Sequence, residues 1–147
     1  MRAVLTRVTE ASVETDGETI AGIGKGFLVL LGIEARDTEA EAEKTADRIC
    51  GLRVFEDETG RMNIGPAEAG AEILIVSQFT LYGDVRRRRP GFTLSARPEI
   101  AGPLCELCAG ECRRRGFVVK TGRFGADMKV RSVNDGPVTL IIDTDEL

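Results

Sequence analysis

Apolar and polar positions change rhythm several times along the chain, and each rhythm predicts a different element. From Arg2 to Thr9, Ala3, Leu5 and Arg7 alternate with Val4, Thr6 and Val8, which predicts a strand. Ala11 to Ile23 reads as a hairpin about Asp16-Gly17, a pair suited to a two-residue turn. Phe27 to Ile33 is a continuous apolar run of strand length, expected at the centre of a sheet with both faces covered. The spacing of Ala42, Ala46, Ile49 and Cys50 predicts a helix, with Asp37 as its cap and Glu39, Glu41 and Glu43 at its positive end. Leu52 to Phe55 is expected to be a short strand, followed by a turn at Asp57-Glu58-Thr59-Gly60. Ile73 to Val76 is another buried strand and runs directly into the polar Ser77-Gln78. A second helix starts at Ser95 or Arg97, has Pro98 in its first turn, and stops at Arg113-Arg114-Arg115-Gly116. Phe117–Thr121, Met128–Val133 and Val138–Asp143 complete the strands. Strands joined by hairpin signals, with two helices among them, predict an α+β fold with a largely antiparallel sheet.

At 147 residues the chain is expected to form one domain, residues 1–147, large enough to bury a core without staples. No apolar run approaches bilayer length and the first residues carry no signal region, so a cytoplasmic location is expected. Of the four cysteines, Cys105, Cys108 and Cys112 share one face of the second helix with Ala101 and Leu104, and are expected as reduced core residues along with Cys50. Net charge is −4 but unevenly spread: Arg86 to Arg131 holds twelve Lys or Arg against four Asp or Glu. A basic segment in an acidic chain suits either a polyanion partner or a solvated surface, and charge alone does not separate the two.

The chain contains no histidine, which excludes Ser-His-Asp and Cys-His catalysis and a His-ligated metal. Asp57, Asp84, Asp127 and Asp135 are scattered without metal-ligand spacing and read as turn residues, so neither metal nor cofactor is expected. Gly22-Ile23-Gly24-Lys25-Gly26 lacks the spacing of a phosphate-binding loop and precedes a strand, which makes it a turn. Two segments stand out. Ser77 to Tyr82 places hydroxyls, an amide and an aromatic ring at the rim of a buried strand, where the amides of Phe79 and Thr80 are available to an oxyanion. Asn134-Asp135-Gly136-Pro137 is a turn by composition, and the residues alone favour an ordinary trans bond before Pro137.

Together these segments resemble the signatures of the D-aminoacyl-tRNA deacylase family. The likeness extends to Arg7–Val13, Leu52–Asp57 with Met62-Asn63, and Gly122–Met128. At Arg86-Arg87-Arg88-Arg89-Pro90-Gly91-Phe92 the chain departs from the family pattern: the loop is one residue shorter, has no glycine among its arginines, and carries Gly91 where serine is usual. The resemblance implies sheets curved into a barrel-like core with two main helices, and a homodimer with active sites at the subunit interface. It implies hydrolysis of the ester joining a D-amino acid to the tRNA terminal adenosine, with tRNA as the nucleic acid partner and neither DNA nor a membrane. Ser77, Gln78, Phe79 and Thr80 match the catalytic wall of the pocket. Gly136 and Pro137, joined by a cis bond, match a filter that enters the partner's pocket and rejects L-amino acids; Arg7, Asn134 and Thr139 match residues about it, and Phe124 and Met128 lie near the adenosine. The implied chemistry is water attack assisted by the 2′-hydroxyl of that adenosine. Read without the resemblance, the residues also fit a non-catalytic binding module or a small-molecule esterase.

Overall fold

The computed structural model describes residues 1–147 and contains eight strands and two α-helices. Strand β1 (Arg2–Thr15) is the spine. Along one edge it pairs antiparallel with β2 (Glu18–Ile23) and β3 (Gly26–Gly32), and along the other with β8 (Lys129–Asp143). Strand β6 (Glu72–Ser77) lies parallel to β3, and β7 (Val119–Thr121) parallel to β6. The sheet is therefore mixed, and the connections explain why. Hairpins join antiparallel neighbours, whereas a parallel neighbour needs a crossover. Helix α1 (Glu39–Gly51) lies on the crossover from β3 to β6, and α2 (Pro98–Arg114) on that from β6 to β7. The small hairpin of β4 (Phe55–Glu56) and β5 (Met62–Ile64) is set into the first crossover. Strand β2 also approaches β6 and β7, so the sheet nearly closes into a barrel.

Alternation along each strand divides the core in two. Leu5, Phe27, Val29, Leu31, Ile73 and Ile75 face the helices, where they meet Ala42, Ala46, Ile49, Leu104, Cys108 and Cys112. Val8, Val13, Leu28, Leu74 and Val76 fill the interior of the curved sheet. The glycine-rich turn before β3 serves this packing. A Cβ on Gly26 would lie 1.8 Å from the carbonyl oxygen of Glu72, so only glycine permits β3 and β6 to approach.

Several boundaries differ from expectation. The cap of α1 is Thr38, whose hydroxyl accepts from the Ala40 amide while Glu41 returns to the Thr38 amide. Asp37 is instead buried beneath the start of β1, where it accepts hydrogen bonds from the Met1 ammonium and the Glu34 amide. The strand expected at Leu52–Phe55 is Phe55–Glu56, because its partner Met62–Ile64 starts opposite those residues. Met128–Val133 and Val138–Asp143 belong to one strand, β8, interrupted by a bulge.

Candidate active site

Where β6 ends, the chain turns sharply. The Gln78 amide still donates to the carbonyl of Leu31 on β3, and Phe79–Tyr82 then form a single 3₁₀ turn. The hydrogen bonds that close it come from Leu81 and Gly83, so the amides of Phe79 and Thr80 at its open start are not used within it. Ser95 Oγ donates to the Phe79 carbonyl at 2.8 Å and ties the turn to the segment leading into α2.

Beside this turn lies a cleft of about 550 Å³. Ser77, Gln78 and Phe79 form one side, the start of α2 with Arg97, Pro98 and Ala101 another, and Phe124, Gly125, Ala126 and Met128 a third. Phe79 and Phe92 meet edge to face, with ring centroids 5.2 Å apart. The Phe79 and Phe124 rings are both exposed at the rim, as expected of a surface built to stack on another flat ring. Five of the sequence-derived candidates thus share the cleft: Ser77, Gln78, Phe79, Phe124 and Met128. Thr80 is on the turn itself, outside the lining.

The charge inventory of the cleft is short. No carboxylate or lysine lines it, and Arg97 is its only charged side chain. Thr80 Oγ1 accepts a hydrogen bond from the Gln78 side-chain amide, a group that cannot take up a proton. Cys105 packs against the core as expected and, half-buried there, also lines the cleft. Burial, together with the nearby Glu106, pushes its thiol up to about 12, which keeps it protonated and unreactive near neutrality.

The second segment lies elsewhere. On β8, Asn134 sits opposite Val8 and Thr139 opposite Thr6, so Asp135-Gly136-Pro137-Val138 bulges from the ladder. The Gly136-Pro137 peptide is cis. Arg7, almost completely buried, reaches beneath the bulge: its Nε donates to the Asp135 carbonyl at 3.1 Å and its Nη1 to the Val54 carbonyl at 2.6 Å. The Asp135 carboxylate lies 3.5 Å from the same guanidinium. Asn134 clasps the loop from within, donating to Thr139 Oγ1 and accepting from the Val138 amide. Gly136 has φ +128°, and a Cβ there would meet Val138 at 2.8 Å and Arg7 Nη2 at 2.9 Å. Arg7, Asn134, Gly136, Pro137 and Thr139 therefore form a second cluster, and none of them lines the cleft of their own chain.

The comparisons with known proteins bear on both clusters. The family model described as D-Tyr-tRNA(Tyr) deacylase matches residues 4–143, a span that includes both. The chain belongs to the D-aminoacyl-tRNA deacylase family. A D-aminoacyl-tRNA deacylase of Roseiflexus sp. (strain RS-1) is 54% identical over 145 residues, covering 98% of this chain and 94% of that relative. One from Symbiobacterium thermophilum is 53% identical over 147 residues, covering 99% and 97%. Among solved structures, c-Myc DNA Unwinding Element Binding Protein superposes with a TM-score of 0.92 at 42% identity, covering 98% of this chain and 99% of that one. A probable eukaryotic D-amino acid tRNA deacylase superposes at 0.82 with 17% identity, covering 96% and 97%, and shows the shared fold. Membership makes this deacylase a hydrolase of ester bonds.

Phe92, Ser95, Arg97 and Ala126 line the cleft but were not singled out by the sequence. For Ser95 and Arg97 the only local cue is Pro98, which fixes where α2 starts.

Proposed function

We propose that this deacylase hydrolyses the ester between a D-amino acid and the terminal adenosine of tRNA, in a cleft completed by the Gly136-Pro137 loop of a second copy. The observation that carries this reading is the separation of the two clusters. One is a cleft with an open rim. The other is an exposed main-chain loop held by a buried arginine, outside the lining of that cleft. Strand β8 has a free edge beyond β1, and Val133, Leu140 and Ile141 are exposed along it. A free edge with apolar side chains is a natural surface for another chain. A second copy placed there would bring each loop towards the other's cleft.

The division of labour follows from the chemistry. Steric exclusion by main chain discriminates by penalising the wrong hand and reads little else of the ligand. Many D-amino acids therefore fit. Glycine, which has no Cβ to exclude, is also cleaved, including glycine mischarged on tRNA-Ala. On the other side, Ser77 to Thr80 hold the ester, with the amides of Phe79 and Thr80 facing the developing oxyanion. Thr80 has an amide beside it and no base, so water is the nucleophile and the 2′-hydroxyl of the adenosine assists it.

The test is hydrolysis of D-Tyr-tRNA against L-Tyr-tRNA by the intact protein. The D-substrate is expected to turn over faster by on the order of 10²-fold or more. Equal rates would remove the filter, and no hydrolysis of either would remove the activity. A 2′-deoxy terminal adenosine is expected to lose roughly 10²–10⁴-fold in rate if its hydroxyl assists proton transfer. Full activity on that substrate would exclude the RNA-assisted step.

A further inference from the structure

The ten arginines between Arg86 and Arg131 divide into two populations, while Lys120 and Lys129 are exposed with no carboxylate partner. At the end of α2, Arg113 pairs with Glu106, Arg114 with Glu111, and Arg115 with Glu111 and Asp47. Arg131 pairs with Glu14, and Arg86 with Asp84. These charges are neutralised within the chain. Arg87, Arg88, Arg89, Arg97 and Arg123 have no carboxylate partner, and all five are exposed.

The unpaired arginines are not scattered. Arg97 lines the cleft, and Arg123 adjoins Phe124 at its rim. The three loop arginines project from a narrow hairpin closed by paired hydrogen bonds between Asp84 and Gly91, of 2.7 and 3.0 Å. Phe92, next after that closure, lines the cleft and packs on Phe79. Asp84 is occupied by Arg86, which sets the hairpin base without drawing on its neighbours. A fixed base carrying three free guanidiniums beside an apolar cleft with one charged side chain is suited to a ligand that is uncharged where it enters the cleft and polyanionic beyond it.

We infer that Arg87, Arg88 and Arg89, with Arg97 and Arg123, form a phosphate clamp at the cleft mouth that grips the single-stranded 3′ end of tRNA. The inference rests on the deacylase reading for its ligand. Affinity for the tRNA comes from this rim, while the cleft itself receives only the terminal nucleoside and its ester. The arginines at the end of α2 take no part, although they contribute as much formal charge.

Two kinds of measurement test this, and the first needs no catalysis. Binding of uncharged tRNA is measured across salt concentrations for the wild type, for Arg87→Ala/Arg88→Ala/Arg89→Ala, and for Arg113→Ala/Arg114→Ala/Arg115→Ala. Three single-strand phosphate contacts correspond to about 2 units in the slope of log affinity against log salt, or roughly 16-fold between 50 and 200 mM. The loop variant should lose that slope and at least tenfold in affinity at low salt, and the α2 variant should keep both. A second loop variant, Arg87→Gln/Arg88→Gln/Arg89→Gln, should reproduce the loss with side-chain length largely retained. Equal losses in the loop and α2 variants would show a diffuse charge effect and overturn the clamp, as would a loop variant that binds like the wild type. The second measurement is wild-type hydrolysis of D-aminoacyl-adenosine, which carries no phosphate. Its KM should be insensitive to salt while that of D-aminoacyl-tRNA rises steeply. A KM for the nucleoside ester that rises as steeply would place the salt effect in the cleft and overturn the clamp. Absence of turnover on both esters would count against the deacylase reading alone, because the tRNA-binding comparison would still stand.

Discussion

The Ser77–Tyr82 turn and the Asn134–Thr139 loop are both short breaks in a strand, yet they are built in opposite ways. The turn continues a strand buried on both faces and lines a cleft of its own chain. The loop leaves an exposed edge strand, faces outward, and is held by Arg7 from below and Asn134 from within. The turn offers donors and an aromatic ring to a ligand. On the proposed reading, the loop offers a rigid stretch of main chain to a second subunit. Changes in the turn should therefore alter rate, and changes in the loop should alter selectivity.

The largest effect is expected from separating the subunits of the proposed dimer. Val133→Asp with Ile141→Asp places charges on the free edge of β8, and sedimentation should report a monomer. Activity should fall by roughly 10²-fold or more, because the ligand is no longer held between two walls. A monomer with full activity and selectivity would break the comparison. Next is Arg7→Ala, which leaves the carbonyls of Asp135 and Val54 without their donor. Denaturant titration should show a loss of about 2–3 kcal/mol, and cleavage of L-Tyr-tRNA should increase. Arg7→Lys should not restore selectivity, since one ammonium cannot span acceptors that a planar fork reaches together.

Smaller changes sharpen the contrast. Asn134→Ala removes two hydrogen bonds from the loop, each worth about 1 kcal/mol. It should relax D-over-L selectivity while the rate on D-Tyr-tRNA stays nearly constant. On the turn, Thr80→Ala should lower the rate by less than about tenfold, well below the loss expected for removing a nucleophile. A trapped acyl-enzyme in the wild type would contradict this. The smallest effect is expected for Cys105→Ala. Burial raises this thiol to about 12, so it is protonated throughout the neutral range and becomes a thiolate only as pH rises towards that value. The pH–rate profile from 6 to 8.5 should therefore be the same in the variant, and a lost alkaline limb would show that the thiol takes part.

The same contrast explains what was legible in the sequence. The strands from Phe27 and Ile73 are plain in the apolar pattern because both faces are buried, and the pattern directly records that burial. Both helices were legible from their spacing, although the α1 cap is Thr38 and not the expected Asp37. The parallel pairing of β3, β6 and β7 was not, since alternation reveals which face is buried and not the direction of the neighbour. Nor was the continuity of β8, because Gly136-Pro137 reads as a break whether the strand ends or bulges. Cys105 packs against the core as its helical spacing predicts, but that spacing does not show that the same face opens into a cleft. The basic segment looked uniform because only the fold decides which arginines find Glu106, Glu111 or Asp47. Ser77–Tyr82 and Asn134–Thr139 were found as segments, but their separation within one chain depends on tertiary structure.

The claim that the loop acts across subunits is tested most directly with a mixed dimer. One chain carries Gly136→Ala, which breaks the loop, and the other carries Ser77→Phe, which fills the cleft. Each is tagged differently so that the mixed species can be purified. Its only open cleft belongs to the chain with the broken loop and faces the intact loop of its partner. This dimer should cleave D-Tyr-tRNA and reject L-Tyr-tRNA as the wild type does. Cleavage of L-Tyr-tRNA at the rate of the Gly136→Ala homodimer would show that the loop serves its own chain and would contradict the account.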